Sequence, residues 1–185
     1  MLGKFYPHEY VSSVFAIDYQ KLYDCGVRGI LFDIDNTLVH HGADSTPEVD
    51  ALFREIHAIG LKTILISNNN QARIERFIKN IDTPYVCDAD KPEPSGYAKA
   101  IEILGICKEE AVCIGDQIFT DIYGANRFGI ASILVQFIRL PGVKKIGIRR
   151  RVEKVILKFY RLRKSRLKRL GGIAKEKEYG TQIVL

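Results

Sequence analysis

Residues 29–37 read Gly-Ile-Leu-Phe-Asp-Ile-Asp-Asn-Thr, a short apolar run that leads directly into two carboxylates, Asp33 and Asp35. Such a run is typical of a buried parallel strand that delivers polar residues at its carboxyl end. Two later stretches repeat the pattern, with polar residues after residues 63–66 and after residues 111–114. The sequence therefore predicts three buried strands whose carboxyl ends carry polar side chains.

Helical segments separate these predicted strands. Thr46 followed by Pro47 is typical of a helix start and Gly60 of a helix end, and apolar side chains recur between them at helical spacing. Weaker patterns predict a short helix at residues 18–25, a helix that ends before Gly105, a strand at 85–87, a helix at 120–127 and a last strand at 130–135. Strands alternating with helices indicate an α/β fold, a Rossmann-like open parallel sheet with helices on both faces. Such sheets bind ligands at the carboxyl ends of their strands.

The chain of 185 residues divides sharply by charge. Its 28 Lys and Arg against 22 Asp and Glu give a formal net charge of +6. Residues 144–170 hold thirteen basic residues and one acid, Glu153, so this segment carries +12 and the remainder −6. We therefore expect a compact body at residues 1–143, a basic amphipathic helix at 144–170 and, after two glycines, a mobile tail at 171–185.

The basic helix has an apolar stripe along one side. Its members are spaced by four, three, four and three residues: Ile148, Val152, Val155, Phe159 and Leu162. Three interpretations stay open. The stripe could dock on the body and leave the charges in water, the helix could lie on an anionic membrane, or it could bind an RNA backbone.

The polar residues at the predicted strand ends form an ordered set. An acidic turn alone would explain Asp33 and Asp35, because Asp and Asn favour turns and helix caps. The other members argue against that explanation, since all are expected at the same end of the sheet: Thr37, Ser67, Asn68, Lys91, Asp116 and Asp121. Phosphoryl transfer from a monoester needs such a set, with a nucleophile, a cation, donors for the phosphoryl oxygens and a proton donor. Several clustered carboxylates also require a divalent cation, and oxygen ligands suit Mg²⁺.

This set resembles, in order, the four motifs of the haloacid dehalogenase-like (HAD) phosphatase superfamily. The resemblance implies that Asp33 is the nucleophile that becomes an aspartyl-phosphate and that Asp35 is the general acid and then the general base. It implies further roles for the rest of the set: support of the loop by Thr37, phosphate binding by Ser67, Asn68 and Lys91, and binding of Mg²⁺ by Asp33, the Asp35 carbonyl, Asp116 and Asp121. An unperturbed Asp has a pKa of about 3.9, so we expect the site to favour the neutral form of Asp35.

A closer resemblance covers about the first 140 residues. Residues 13–38 and 115–127 resemble the small YqeG-type members of HAD class IIIA, which are similar to mitochondrial-type phosphatidylglycerophosphate phosphatases. The intervals from Thr37 to Ser67 and from Ser67 to Lys91 have no room for the cap domain that many HAD enzymes carry. The resemblance therefore implies a capless enzyme with an open site. Its expected substrate is phosphatidylglycerophosphate, an anionic phospholipid, at a membrane surface where the basic helix would hold the enzyme.

Other functions stay open. A receiver domain also uses several Asp, a hydroxyl residue, a Lys and Mg²⁺, but it ends with the Lys, whereas Asp116 and Asp121 follow Lys91 here. The same site could serve another phosphate ester, such as a sugar phosphate or a nucleic-acid end. The basic helix could instead belong to a ribosome- or RNA-binding module, although nucleic acid is the less favoured partner.

The sequence also predicts where the protein works. No apolar run approaches the ~18 residues that a membrane span needs, and residues 1–10 lack the apolar segment of a signal peptide. We therefore expect a cytoplasmic protein that binds peripherally to the inner face of the membrane.

Overall fold

Six parallel strands form one open sheet in the computed structural model, which describes residues 2–138, 147–163 and 170–175. The strands are β1 (Glu9–Val11), β2 (Gly29–Phe32), β3 (Lys62–Ile66), β4 (Tyr85–Val86), β5 (Ala111–Gly115) and β6 (Ala131–Val135). Their order across the sheet is β1-β6-β5-β2-β3-β4. The predicted parallel α/β sheet is confirmed, with β2 between β3 and β5. β1, which pairs with β6 at the edge, was not among the predicted strands.

Within the described residues, six α-helices connect or follow these strands. They are α1 (Tyr19–Asp24), α2 (Pro47–Ile59), α3 (Gln71–Phe77), α4 (Pro94–Leu104), α5 (Tyr123–Phe128) and α6 (Ile148–Arg163). As predicted, the Thr46 hydroxyl accepts a hydrogen bond from the Val49 N–H at 3.3 Å at the start of α2, and Gly60 ends that helix in the left-handed conformation. The helix predicted at residues 120–127 begins earlier, because one turn of π-helix at Ile118–Ile122 leads into α5.

Helices cover both faces of the sheet, as predicted. On one face, α1, α2 and α3 pack apolar side chains such as Phe53 against Phe32 of β2. On the other face, α4 and α5 enclose Tyr97, which is fully buried beside Leu31 of β2. A strand covered on both faces can be apolar throughout, and all four residues of β2 are buried. The polar residues of the predicted site follow the carboxyl ends of the strands, which these helices do not cover.

The C-terminal helix α6 packs on the body through the face opposite to the predicted apolar stripe. Leu157 and Tyr160 are buried in a cluster with Tyr6, Ile118 and Ile122. The stripe itself is exposed: Ile148 by 79%, Val152 by 44%, Val155 by 54%, Phe159 by 50% and Leu162 by 76%. The interpretation that the stripe docks on the body is therefore wrong. The helix has a second, shorter apolar face, which is buried. Arg150 and Glu153 lie beside that face and bind the body through hydrogen bonds.

The chain returns to the body after α6. Ile173 is 1% exposed, its carbonyl accepts the Asp18 N–H at 2.7 Å, and Ala174 bridges to Ile17. Residues 171–175 therefore do not belong to a mobile tail, and the predicted boundary at residue 171 is wrong by at least five residues. The rest of the predicted tail, residues 176–185, and part of the predicted basic segment, residues 144–146 and 164–169, lie outside the described residues. Among the helices that the structure describes, none is long and apolar enough to cross a membrane.

Candidate active site

The loop after β2 places Asp33 at the centre of a buried pocket. The Asp33 N–H donates to the Ile114 carbonyl at 2.9 Å, which fixes the start of the loop beside the carboxyl end of β5. One carboxylate oxygen of Asp33 accepts from Lys91 Nζ at 2.7 Å, and the other accepts from the Thr37 hydroxyl at 2.9 Å. Asn36 turns the loop with a φ of 65°, a conformation that Asn adopts more readily than most residues. Thr37 and Lys91 therefore hold the Asp33 carboxylate from both sides.

Three carboxylates meet in this pocket. Asp33, Asp116 and Asp121 each offer an oxygen, these oxygens lie within 4.8 Å of one another, and all three residues are buried. Asp116 follows β5 directly, whereas Asp121 comes from the π-helical turn. Gly115 makes this approach possible, because a Cβ at that position would collide with the Asp121 carboxylate. The glycine is thus a steric requirement of the cluster.

Two cations offset part of this negative charge. Lys91 Nζ lies 2.7 Å from Asp33 and 2.7 Å from Asp121, and Arg150 of α6 forms an ion pair with Asp116. Burial raises the pKa of Asp33 to about 6 against the opposing effect of Lys91, and burial raises the pKa of Asp116 to about 8 against that of Arg150. The positive charges of Lys91 and Arg150 therefore do not fully balance the negative charges of the three carboxylates. A buried set of carboxylate oxygens with this deficit fits a hard divalent cation such as Mg²⁺.

The carboxylate of Asp35 lies in a separate network. It accepts from Arg73 at 2.9 Å, from the Asn69 amide at 2.7 Å and from the Gly42 N–H at 2.9 Å. Burial raises the pKa of Asp35, but these three donors outweigh burial and lower it below its usual value. The expectation that the site favours neutral Asp35 is therefore wrong for this arrangement, because every donor that contacts the carboxylate stabilises its charged form. The structure does not bring this carboxylate into the acidic cluster.

Ser67 and Asn68, predicted to bind phosphate, are held by their neighbours. The buried Ser67 hydroxyl accepts from the Asn69 N–H at 3.1 Å and from the Asn69 amide at 3.0 Å. Asn68 makes two hydrogen bonds with the main chain of Lys91, one accepted at 2.7 Å and one donated at 3.1 Å. The Asn68 side chain thus positions Lys91, and its contact with a phosphate stays a prediction.

Four residues of the site were not among the predicted ones. Asn69 and Arg73 hold Asp35, while Arg150 and Glu153 of α6 hold the loop that carries Asp116. Asn69 and Arg73 follow Ser67 closely in the sequence, so their position just after the end of β3 could have indicated that they belong to the site. No local pattern indicates Arg150, whose contact with Asp116 spans 34 residues of sequence.

Comparisons with known proteins point to one family. The model of the haloacid dehalogenase-like hydrolases matches residues 42–129. The "Probable phosphatase YqeG" of Bacillus subtilis is 37% identical over 175 residues, which are 94% of this chain and 98% of that protein. The "Phosphatidylglycerophosphate phosphatase 1, chloroplastic" of Chlamydomonas reinhardtii is 26% identical over 74% of this chain, and the match spans 54% of that protein. Among solved structures, NagD from E. coli shares the fold with a TM-score of 0.52 at 13% identity, over 66% of this chain and 94% of that one.

Proposed function

Because this chain belongs to the haloacid dehalogenase-like hydrolases and is a phosphatase, we propose that it hydrolyses phosphate monoesters through an aspartyl-phosphate on Asp33. The observation that carries this proposal is the environment of Asp33. Its carboxylate is buried between Lys91 Nζ at 2.7 Å and the Thr37 hydroxyl at 2.9 Å, beside two further carboxylates. A nucleophile fixed in this way needs little reorganisation before it attacks a phosphorus atom.

The acidic cluster supports magnesium as the cofactor. Asp33, Asp116 and Asp121 would hold the ion, and the Asp35 carbonyl would complete the set implied by the resemblance. When bound, Mg²⁺ would supply positive charge to the phosphoryl oxygens. The remaining charge would come from Lys91, which would neutralise a phosphate as well as Asp33. Ser67 would donate a hydrogen bond to a phosphoryl oxygen once its hydroxyl turns toward the substrate.

The proposed reaction has two displacements. A carboxylate oxygen of Asp33 forms a bond to phosphorus as the bond from phosphorus to the leaving oxygen breaks, and Asp35 gives its proton to that oxygen. A water molecule then attacks phosphorus, Asp35 accepts its proton, and the bond between phosphorus and Asp33 breaks. Arg73, Asn69 and Gly42 stabilise the charged form of Asp35. Asp35 could therefore carry the proton for the leaving oxygen only after its carboxylate moves away from these donors. We propose that this movement accompanies substrate binding.

We propose phosphatidylglycerophosphate as the substrate. Two relatives named phosphatidylglycerophosphate phosphatase 1, from Chlamydomonas reinhardtii and Arabidopsis thaliana, match 74% and 70% of this chain at 26% identity. The described intervals that follow Asp33 support an open site, since residues 38–90 form only α2, β3, α3 and β4 with their loops. No inserted domain within these residues closes over the pocket. A lipid presented by a bilayer could therefore reach Asp33 without entering a closed cavity.

Turnover measurements test this proposal. Phosphate release is compared among phosphatidylglycerophosphate in anionic vesicles, a sugar phosphate, a 5′-phosphorylated oligonucleotide and an aryl phosphate, each with Mg²⁺ and with EDTA. We expect the lipid to have the highest kcat/KM, and a hydroxylamine-sensitive phosphoenzyme to form on the natural chain but not on Asp33→Asn. Equal turnover of the lipid and the aryl phosphate would reject the substrate. Mg²⁺-dependent hydrolysis that persists in Asp33→Asn would reject the nucleophile.

A further inference from the structure

The inner face of α6 fixes the helix against the loop that follows β5. Arg150 donates to the Asp116 carbonyl at 2.5 Å and to Glu153 at 3.0 Å. Glu153 is buried and accepts the Ile118 N–H at 2.8 Å. Together with the apolar contacts of Leu157 and Tyr160, these bonds set the rotation of the helix about its axis. The direction of the outer face is therefore fixed, and the helix begins beside the acidic cluster.

The outer face of α6 is an exposed apolar stripe. Its five members, Ile148, Val152, Val155, Phe159 and Leu162, are between 44% and 79% exposed. At ~100° per residue they fall within about 80° of one another around the helix, so they form one continuous surface. In the described part of the chain nothing buries this surface. An apolar stripe of this length is unfavourable in water and indicates a binding surface.

Basic side chains flank the stripe. Arg151 and Lys158 lie beside it on one side and Arg149 on the other, and all three are exposed. A helix with an apolar face between cationic flanks suits the boundary of an anionic bilayer, where the apolar residues reach the acyl chains and the cations contact the headgroups. RNA would satisfy the cations but would leave the stripe in water. A second copy of the chain would cover the stripe but would bring like charges of the two helices together.

We propose that the outer face of α6 is a docking surface for an anionic lipid bilayer. With the outer face on the bilayer, the helix lies between the headgroup layer and the loop of Asp116, which is then one helix diameter, ~10 Å, from that layer. Its benefit to catalysis rests on the proposed function, because a bilayer-bound enzyme gains only if its phosphate ester lies in that layer. Binding itself does not depend on turnover, so the two proposals can fail separately.

A single fluorescent reporter can detect the docked face. The chain contains no Trp, so Phe159→Trp introduces the only one. With vesicles that contain phosphatidylglycerol, we expect a blue shift of the emission and quenching by acyl chains that carry bromine. Phe15→Trp is the matched control, since Phe15 is 42% exposed but lies outside α6. A Phe159→Trp spectrum that vesicles leave unchanged, or an equal shift in the control, overturns the proposal.

Flotation of the full chain with vesicles measures the two parts of the surface. Val155→Ser with Phe159→Ser should weaken binding at least about tenfold, because both side chains leave the acyl region. Arg151→Gln with Lys158→Gln should weaken it about 30-fold, at the usual contribution of each charge near an anionic surface. The same charge loss in Lys79→Gln with Lys99→Gln, exposed lysines outside α6, should have a much smaller effect. Equal effects of the two charge pairs would contradict a defined docking face.

Other occupants give different results. Salt-sensitive RNA binding that survives Val155→Ser with Phe159→Ser, without vesicle binding, overturns the bilayer in favour of RNA. A dimer in solution that this apolar pair dissociates overturns it in favour of self-association. Vesicle binding without faster hydrolysis of phosphatidylglycerophosphate leaves the docking surface standing and rejects the lipid substrate. Hydrolysis of that lipid in detergent micelles by a chain that does not bind vesicles supports the lipid substrate and rejects the docking surface.

Discussion

Replacing Lys91 with Met tests the charge balance of the pocket. Lys91 Nζ lies 2.7 Å from both Asp33 and Asp121, and the side chain is 3% exposed. Burial lowers the pKa of Lys91, but Asp121 and Asp33 outweigh burial and raise it well above its usual value. Met keeps most of the apolar volume, whereas two buried carboxylates lose their cation. Removing one partner of a buried ion pair costs about 3–5 kcal/mol.

The cost should be visible in thermal unfolding. For a domain of this size each kcal/mol lowers Tm by about 2–4 °C, so Lys91→Met in EDTA should melt about 6–20 °C below the natural chain. Mg²⁺ at 100 times its Kd stabilises a protein by about 2.7 kcal/mol. Because Lys91→Met makes the cluster more negative, it should bind Mg²⁺ more tightly and gain more in Tm than the natural chain at the same Mg²⁺ concentration.

Lys62→Met is the matched control for this experiment. Lys62 is exposed, and its Nζ makes one hydrogen bond, donated to the Leu104 carbonyl at 2.7 Å. Its replacement should cost about 1 kcal/mol and leave the response to Mg²⁺ unchanged. Circular dichroism melts in EDTA and across a Mg²⁺ titration measure both quantities. The reasoning fails if Lys91→Met has the same Tm as Lys62→Met in EDTA, or if Mg²⁺ raises the Tm of Lys91→Met no more than that of the natural chain.

Two further predictions concern the acidic residues. Asp35→Asn should slow the release of phosphate much more than the formation of the phosphoenzyme, so rapid-quench measurements should find the phosphoenzyme accumulating; unchanged turnover contradicts the role of Asp35. The raised pKa values of Asp33 and Asp116 mean that the folded, metal-free chain binds more protons than the unfolded chain between about pH 4 and 8, so its stability should fall as the pH rises through this window. Mg²⁺ replaces those protons, and the gain in Tm on adding it should therefore be larger at pH 8 than at pH 5; a gain independent of pH argues against binding at these carboxylates.

Much of the fold could be predicted because its signals are local. The apolar runs before Asp33 and Ser67 mark buried strands, and Thr46 with Gly60 marks both ends of α2. β1 was missed because three residues at a sheet edge carry too little periodicity to stand out. The four motifs also predicted the meeting of Asp33 with Lys91, since parallel strands bring their carboxyl ends to one edge.

The rest depends on tertiary contacts that no sequence pattern reveals. Asp35 was expected to be neutral, but its protonation depends on Arg73 and on two other donors that only the folded chain brings to it. The orientation of α6 was ambiguous because the helix has two apolar faces. Docking on the body through the longer stripe was one of three interpretations, yet Arg150 reaches Asp116 and Glu153 reaches the Ile118 N–H only when the shorter face is buried. Buried polar groups that must be paired thus outweigh the larger apolar area.

The pocket's charge links α6 to the attraction of substrate. Above about pH 8, where Asp33 and Asp116 have lost their protons, the three carboxylates carry −3 while Lys91 and Arg150 supply +2, so these five groups sum to −1 without metal and +1 with Mg²⁺. A phosphomonoester dianion is repelled in the first state and attracted in the second, which favours binding of the metal before the substrate. Arg150 is the member of this set that α6 provides. If the helix left the body, Asp116 would lose its ion pair with Arg150 and the Ile118 N–H would lose Glu153 as its acceptor, so the docking of α6 bears directly on the loop that carries Asp116.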